Sequence, residues 1–194
     1  MLITWETTKK AIYKDVYRNI GICNKKIIFR ESLRYGSTTG VLVFYRMCQF
    51  FAKKEHKNVI EKVLYVLCYL MFKRKQIVCG IELNQNTRIG AGLRLPHRGG
   101  IVIHPLACVG ENCEIMQGVT IGNNIMKSRE GVATIGDRVL ICSGTKIIGN
   151  VKIGNDVVIG ANSIVNKDVS EGDIVGGVPV RVLGKSSSVY LINI

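Results

Sequence analysis

Aliphatic residues recur at every sixth position through much of this chain. Ile135, Ile141, Ile147, Ile153, Ile159 and Val165 fall in one register without a break; the same spacing joins Val109, Ile115 and Ile121, and before them Ile89, Leu95 and Ile101. A small residue often follows the aliphatic, as in IGDRVL, IGNDVV and IGANSI. An α-helix cannot use this period, because 3.6 residues per turn would smear the aliphatics around its circumference. A parallel β-helix can. If six residues make one short strand and its turn, three such units close a triangular coil, and the recurring side chains stack inward as one continuous core. A β-sandwich of short alternating strands would instead give a period of two without a period of six.

The register breaks twice. Between Ile101 and Val109 the step is eight, which predicts two extruded residues near IHPL. Between Ile121 and Ile135 the step is fourteen, so NNIMKSREGVAT is expected to leave the coil as an exposed loop. Insertions on a solenoid commonly decorate its binding face. This one follows LRLPHRGGIVIHP, where His97 sits between a proline and two glycines. On the residues alone, His97 reads as a turn residue, a metal ligand or a proton acceptor.

Ahead of Gly80 the chain has another character. Glycine is scarce, and apolar residues cluster at helical spacing in VLVFYRMCQFFAKK and VIEKVLYVLCYLMFKRK. The organisation expected is a helical N-terminal segment over 1–79, a β-helix over 80–185 and a tail over 186–194, mainly β in total. An apolar content of 47% excludes a largely disordered chain. The run VLYVLCYLMF is too short to span a bilayer, and MLITWETTKK lacks the basic-then-apolar order of a signal peptide. A cytoplasmic protein is therefore expected. Seven cysteines without a C-x-x-C pair fit reduced thiols in the core better than a disulfide framework or a zinc site.

The net charge of +13 is uneven: residues 1–80 hold 16 Lys+Arg against 5 Asp+Glu, whereas residues 81–194 hold 11 against 9. A basic block of this kind suits anionic lipid or another polyanion. It fits a solvated helical surface equally well, because KKEHKNVIEK and FKRK bracket an apolar helix. A peripheral contact with a membrane surface is one expectation; a nucleic-acid partner is not expected.

The stretch GIELNQNTRIGAGLRLPHRGGIVIHPLACVGENCEIMQGVTIGN resembles the core of the serine acetyltransferases, and GVPVRVLGK resembles that family's closing segment. The similarity covers about residues 80–185 and is specific through LPHRGGIVI and QGVTIGN. It implies a left-handed β-helix of hexapeptide repeats, acetyl transfer from acetyl-CoA to a hydroxyl, no metal, and a homotrimer with active sites in grooves between neighbouring coils, which in the serine enzymes often pairs into a hexamer. The resemblance assigns the catalytic histidine to His97 and the acid that orients it to Glu82. An alcohol is protonated at neutral pH, so attack on a thioester needs a base at its hydroxyl, and imidazole titrates in the right range. A carboxylate on the second ring nitrogen would fix the tautomer and steady the cation.

For acetyl-CoA the resemblance points to Asn123, Ser143 and Ala161, small residues beside the pantetheine arm, and to Val178, Pro179 and Arg181 near the nucleotide, where a guanidinium suits phosphate. The departures concern the acceptor. The acid that precedes the histidine in the family is Pro96 here, and the Arg-His pair that meets the serine carboxylate falls on Gly131 and Val132. Both ionic handles for a free amino acid are missing, and FYRMCQF with CGIELNQNTRIGAG resembles the colanic-acid and capsule branch. The acceptor expected is therefore a hydroxyl of a surface polysaccharide or its precursor, with L-serine as the alternative enzyme reading and a non-catalytic trimeric scaffold as the alternative of another class. His97, His104 and His56 do not have the spacing of the zinc-dependent carbonic anhydrases built on the same repeat.

Overall fold

The computed structural model describes residues 3–54, 56–128 and 130–185; the expected tail over 186–194 lies outside them. Four helices come first among the described residues: α1 (Trp5–Ile20), α2 (Lys25–Leu33), α3 (Thr38–Lys53) and α4 (Val59–Cys79). Their ends follow local chemistry. Thr4 caps α1 and exchanges hydrogen bonds with Thr7, and Asn58 does the same for α4 with Glu61, satisfying backbone donors that the first helical turn leaves open. α4 stops at Gly80, which adopts a left-handed conformation (φ 61°). The helical composition of the sequence ends at that residue.

The remainder is a coil of short strands: β1 (Ile81–Leu83), β2 (Arg88–Ile89), β3 (Ile101–Ile103), β4 (Cys108–Val109), β5 (Glu114–Ile115), β6 (Thr120–Gly122), β7 (Thr134–Ile135), β8 (Leu140–Ile141), β9 (Lys146–Ile148), β10 (Lys152–Ile153), β11 (Val158–Ile159), β12 (Ile164–Val165), β13 (Asp173–Gly176) and β14 (Arg181–Lys185). They form three sheets, ordered β1-β3-β6-β9-β12, β2-β4-β7-β10 and β5-β8-β11-β13-β14. Pairing is parallel throughout, apart from the β13–β14 hairpin. Fully buried Ile115, Ile141 and Ile159 stack on the third sheet, as Val109, Ile135 and Ile153 do on the second. This is the mainly β, hexapeptide-repeat β-helix expected from the six-residue period.

One detail of the register differs from expectation. On the first sheet it is Ile103, not Ile101, that lies in line with Leu83, Ile121, Ile147 and Val165. The step of eight therefore runs from Leu95 to Ile103, and the two added residues belong to PHRGG rather than to IHPL. The cause is the two-residue alternation of a strand. β3 buries both Ile101 and Ile103 and turns Val102 outward, so it presents two inward aliphatics to a count by sixes. The fourteen-residue step does leave the coil after β6, with Ile125 and Met126 exposed and Asn124 bridged to Ser128. The closing segment folds back as antiparallel β14, fixed by Lys185 Nζ on Asp173 Oδ1 at 2.7 Å.

The helical segment is not a loose appendage. Val41, Leu42, Tyr45 and Cys48 of α3 and Phe72 of α4 belong to the same buried cluster as the coil's inward aliphatics. The Tyr45 hydroxyl donates to the Thr87 carbonyl at 2.6 Å. The helices thus close one end of a solenoid whose first coil would otherwise leave its apolar interior open. The seven cysteines are free thiols. Among the described residues no helix is long and apolar enough to cross a membrane.

Candidate functional site

The edge between the third and first sheets is built from small residues in vertical file. Gly118 N–H donates to Gly99 O (2.8 Å), Gly144 N–H to Gln117 O (2.9 Å) and Asn162 N–H to Ser143 O (2.8 Å), so each coil turns directly above the one before. A side chain on Gly118 (φ 73°) would bring its Cβ to 3.3 Å from Gly144 Cα. Glycine therefore keeps this edge low and lets successive turns touch. The exception is the first corner, where the two added residues push Pro96, His97 and Arg98 outward. The His97 side chain is exposed at the foot of the file.

Glu82 is exposed on the outward side of β1, one coil away, in line with Val102, Thr120 and Lys146. It lies two residues past Gly80, whose carbonyl accepts from Ile101 N–H, while Gly99 N–H donates to Cys79 O. The corner of His97 and the strand of Glu82 are therefore stacked neighbours. Among the described residues no hydrogen bond joins the two side chains within the single chain. Lys146, which sequence reasoning passed over, reaches back across the edge to donate to Gly118 O at 2.6 Å and Thr120 Oγ1 at 3.0 Å, holding a cation beside the file. Beneath the corner, burial raises the pKa of the Cys79 thiol, against the opposing pull of Lys75 and Arg98.

The residues expected to meet acetyl-CoA divide into three places. Ser143 and Ala161 stand in the small-residue file above His97. Val178, Pro179 and Arg181 are exposed in the terminal hairpin; Gly177, just before them, accepts from Ile164 N–H and donates to Ser163 Oγ, so this hairpin tops the same edge. Asn123 follows β6 and lies at the opposite margin of the first sheet, level with Gly149. The edge from His97 to the hairpin spans four coil steps, or about 19 Å at 4.8 Å per step.

The positions tied to the acceptor carry no charge: Pro96 and Gly131 are half-buried and Val132 is buried. His104 is half-buried, with its Nδ1 accepting from Leu106 N–H at 3.2 Å in an ordinary turn. Among the described residues no group of three or more His, Cys, Asp or Glu side chains could hold a metal ion.

Several residues that sequence reasoning did not single out converge on the histidine corner from the helices. Asp15 accepts from Gly92 N–H (2.7 Å) and Leu93 N–H (3.0 Å), Asn19 donates to Leu93 O (2.9 Å) and accepts from Leu95 N–H (3.0 Å), and Thr38 Oγ1 donates to Leu95 O (2.7 Å). A signal for them was available: Asp15, Arg18 and Asn19 are polar residues at i, i+3 and i+4 on the face of α1 that also carries Ile12 and Val16.

The chain is similar to known proteins in both sequence and fold. Residues 133–167 match the family described as "Bacterial transferase hexapeptide (six repeats)". The chain is 37% identical over 126 residues to a serine acetyltransferase of Synechococcus elongatus, an alignment covering 65% of this chain and 52% of that one. It is 33% identical over 163 residues to a serine acetyltransferase of Staphylococcus epidermidis, covering 81% of this chain and 75% of the relative. The crystal structure of serine acetyltransferase in complex with Coenzyme A from Brucella abortus superposes with a TM-score of 0.69 at 26% identity, covering 93% of this chain and 68% of that one. The chain thus spans about half the length of the first relative and three quarters of the second.

Proposed function

We propose a function from one premise: this chain belongs to the serine acetyltransferase family of hexapeptide-repeat acyltransferases. It transfers an acetyl group from acetyl-CoA to a hydroxyl. The observation that carries this reading is the continuous low edge running from exposed His97 past Gly118, Gly144 and Ala161 to the terminal hairpin, a track on which a long, thin pantetheine arm would lie against backbone. The Brucella relative's complex with Coenzyme A supports the same co-substrate.

In this reading His97 removes the proton from the acceptor hydroxyl as its oxygen attacks the thioester carbonyl. Collapse of the tetrahedral intermediate breaks the C–S bond, and the proton held by the imidazolium passes to the departing CoA sulfur. Glu82 steadies the imidazolium. General-base assistance of this kind contributes roughly 10²- to 10⁴-fold in rate. Ser143 and Ala161 flank the arm, Asn123 lines the opposite margin, and Val178, Pro179 and Arg181 receive the nucleotide end, with Arg181 facing phosphate. A homotrimer supplies the second wall of the edge, which is open to solvent in one chain.

For the acceptor, the shared name of the relatives favours L-serine over the surface polysaccharide or precursor expected from the sequence. One specific observation keeps the second reading in play: Pro96, Gly131 and Val132 offer no charge to the amino and carboxylate groups of a free amino acid, and an unpaired zwitterion is held poorly in a dehydrated site. Purified protein offered labelled acetyl-CoA with L-serine and with a panel of neutral glycans separates the two. Turnover of L-serine well above every glycan establishes the first reading, and the reverse order establishes the second. Equal, non-zero acetyl-CoA consumption by wild type and His97→Ala removes His97 as the base, and no consumption by either leaves a trimeric scaffold.

The membrane-surface contact belongs to the same proposal, on the cytoplasmic side. α4 exposes Val63, Leu67, Leu70 and Ile77, with Lys62, Lys73 and Arg74 beside them, a pairing of apolar and cationic groups that suits an anionic lipid face. Co-sedimentation with anionic but not zwitterionic vesicles, lost in Leu67→Glu, tests it; no sedimentation of wild type rejects it.

A further inference from the structure

The segment from Gly92 to Leu95 runs along the lower edge of the third sheet, where no earlier coil exists to receive its backbone groups. An exposed sheet edge normally leaves such donors and acceptors to water or to a partner strand. Here side chains of the helical segment take the place of the missing strand. Asp15 takes the N–H groups of Gly92 and Leu93, and Arg18 donates to Gly92 O. The Asn19 amide spans Leu93 O and Leu95 N–H, while Thr38 closes the row on Leu95 O. Leu95 thus has both main-chain groups held by helical side chains, two residues before His97.

The far shoulder of the corner is held as well. Arg98 lies across Gly36 so closely that a Cβ on Gly36 would overlap its guanidinium, and Gly99 N–H is bound by Cys79 O at the end of α4. His97 therefore projects from a two-residue extrusion whose shoulders are both fixed by the helices.

We propose that Asn19 and Thr38 are positioning residues for the His97 imidazole, so that the helical segment sets the direction of the catalytic base by standing in for the absent coil beneath it. This rests on the reading of His97 as general base. Neither side chain touches substrate; each acts through the Leu95 backbone. A misplacement of about 1 Å in a catalytic group can lower turnover by roughly 10²-fold, which sets the scale of the effect.

The test is a double-variant cycle measuring kcat and KM for acetyl-CoA, with the folded fraction checked by circular dichroism. Thr38→Val keeps the side-chain volume and the Ser37 helix cap but removes the donor to Leu95 O. It is expected to lower kcat roughly 10- to 100-fold with KM little changed, and Thr38→Ser is expected to restore most of the loss. In a His97→Ala background the same Thr38→Val change is expected to alter the residual rate by less than about twofold, because there is no imidazole left to misdirect. Asn19→Asp, nearly isosteric but without the donor to Leu93 O, supplies an independent variant with the same expected pattern should Thr38→Val fold poorly. Wild-type kcat in both Thr38→Val and Asn19→Asp, or an equal loss with and without His97, overturns the inference while leaving His97 as base. A His97→Ala protein with wild-type turnover overturns the base reading and this inference with it.

Discussion

Arg46 Nε lies 2.8 Å from Asp15 Oδ2 in a pair whose side chains are 5% and 1% exposed, tying α3 to α1. The same carboxylate binds two backbone N–H groups of the first coil, and the same guanidinium donates to Ile89 O and Gly90 O. Burial, the largest single influence, would lower the Arg46 pKa; Asp15 together with Tyr45 and Glu111 offsets it, and the net direction is upward. The pair is the point at which helices and coil are locked together.

Breaking that pair from one side leaves a buried charge uncompensated. Arg46→Met is expected to destabilise the fold by about 3–5 kcal/mol. Urea denaturation checks this, and a loss under about 1 kcal/mol would show that water reaches Asp15 freely.

The inward file predicts a contrast between two isoleucines only four residues apart. Ile121 is fully buried and Ile125 is 69% exposed in the extruded loop. Ile121→Ala should cost about 2–5 kcal/mol, and Ile125→Ser should stay within about 0.5 kcal/mol of wild type. Similar denaturation midpoints for the two variants would contradict the register.

In the proposed active site, Glu82→Gln keeps the shape of the side chain and removes its charge. We expect kcat to fall by roughly 10²-fold with KM for acetyl-CoA unchanged, since the carboxylate matters when the imidazolium forms. Steady-state kinetics on the assembled protein measure it; unaltered kcat would take Glu82 out of the mechanism.

Alkaline pH should weaken the fold through two thiols. Burial pushes Cys48 up to about 12, and burial pushes Cys113 up to about 11. Unfolded thiols ionise near about 8.5, so above that pH the folded chain retains protons that the unfolded chain releases, and stability declines as pH rises. Below it both states are protonated and these thiols contribute no slope. Urea midpoints at pH 7.5, 9 and 10 should fall in wild type more steeply than in a Cys48→Ala/Cys113→Ala variant; parallel slopes would remove the thiols as the cause.

What the sequence determined by itself was whatever repeats locally. The six-residue spacing from Ile135 to Val165 admits a coil and excludes a helix, Gly80 marks where one gives way to the other, and the gap from Ile121 to Ile135 forces a loop out. Tertiary structure alone decided which isoleucine of β3 shares the inward file, because a strand buries alternate residues and Ile101 and Ile103 both qualify until their neighbours choose between them. That choice moved the extrusion onto His97. The clamp on Leu95 was legible only in part: polar Asp15, Arg18 and Asn19 stand out on the apolar face of α1, but Asn19 and Leu93 are 74 residues apart, and helical spacing does not say that the partner is an open sheet edge.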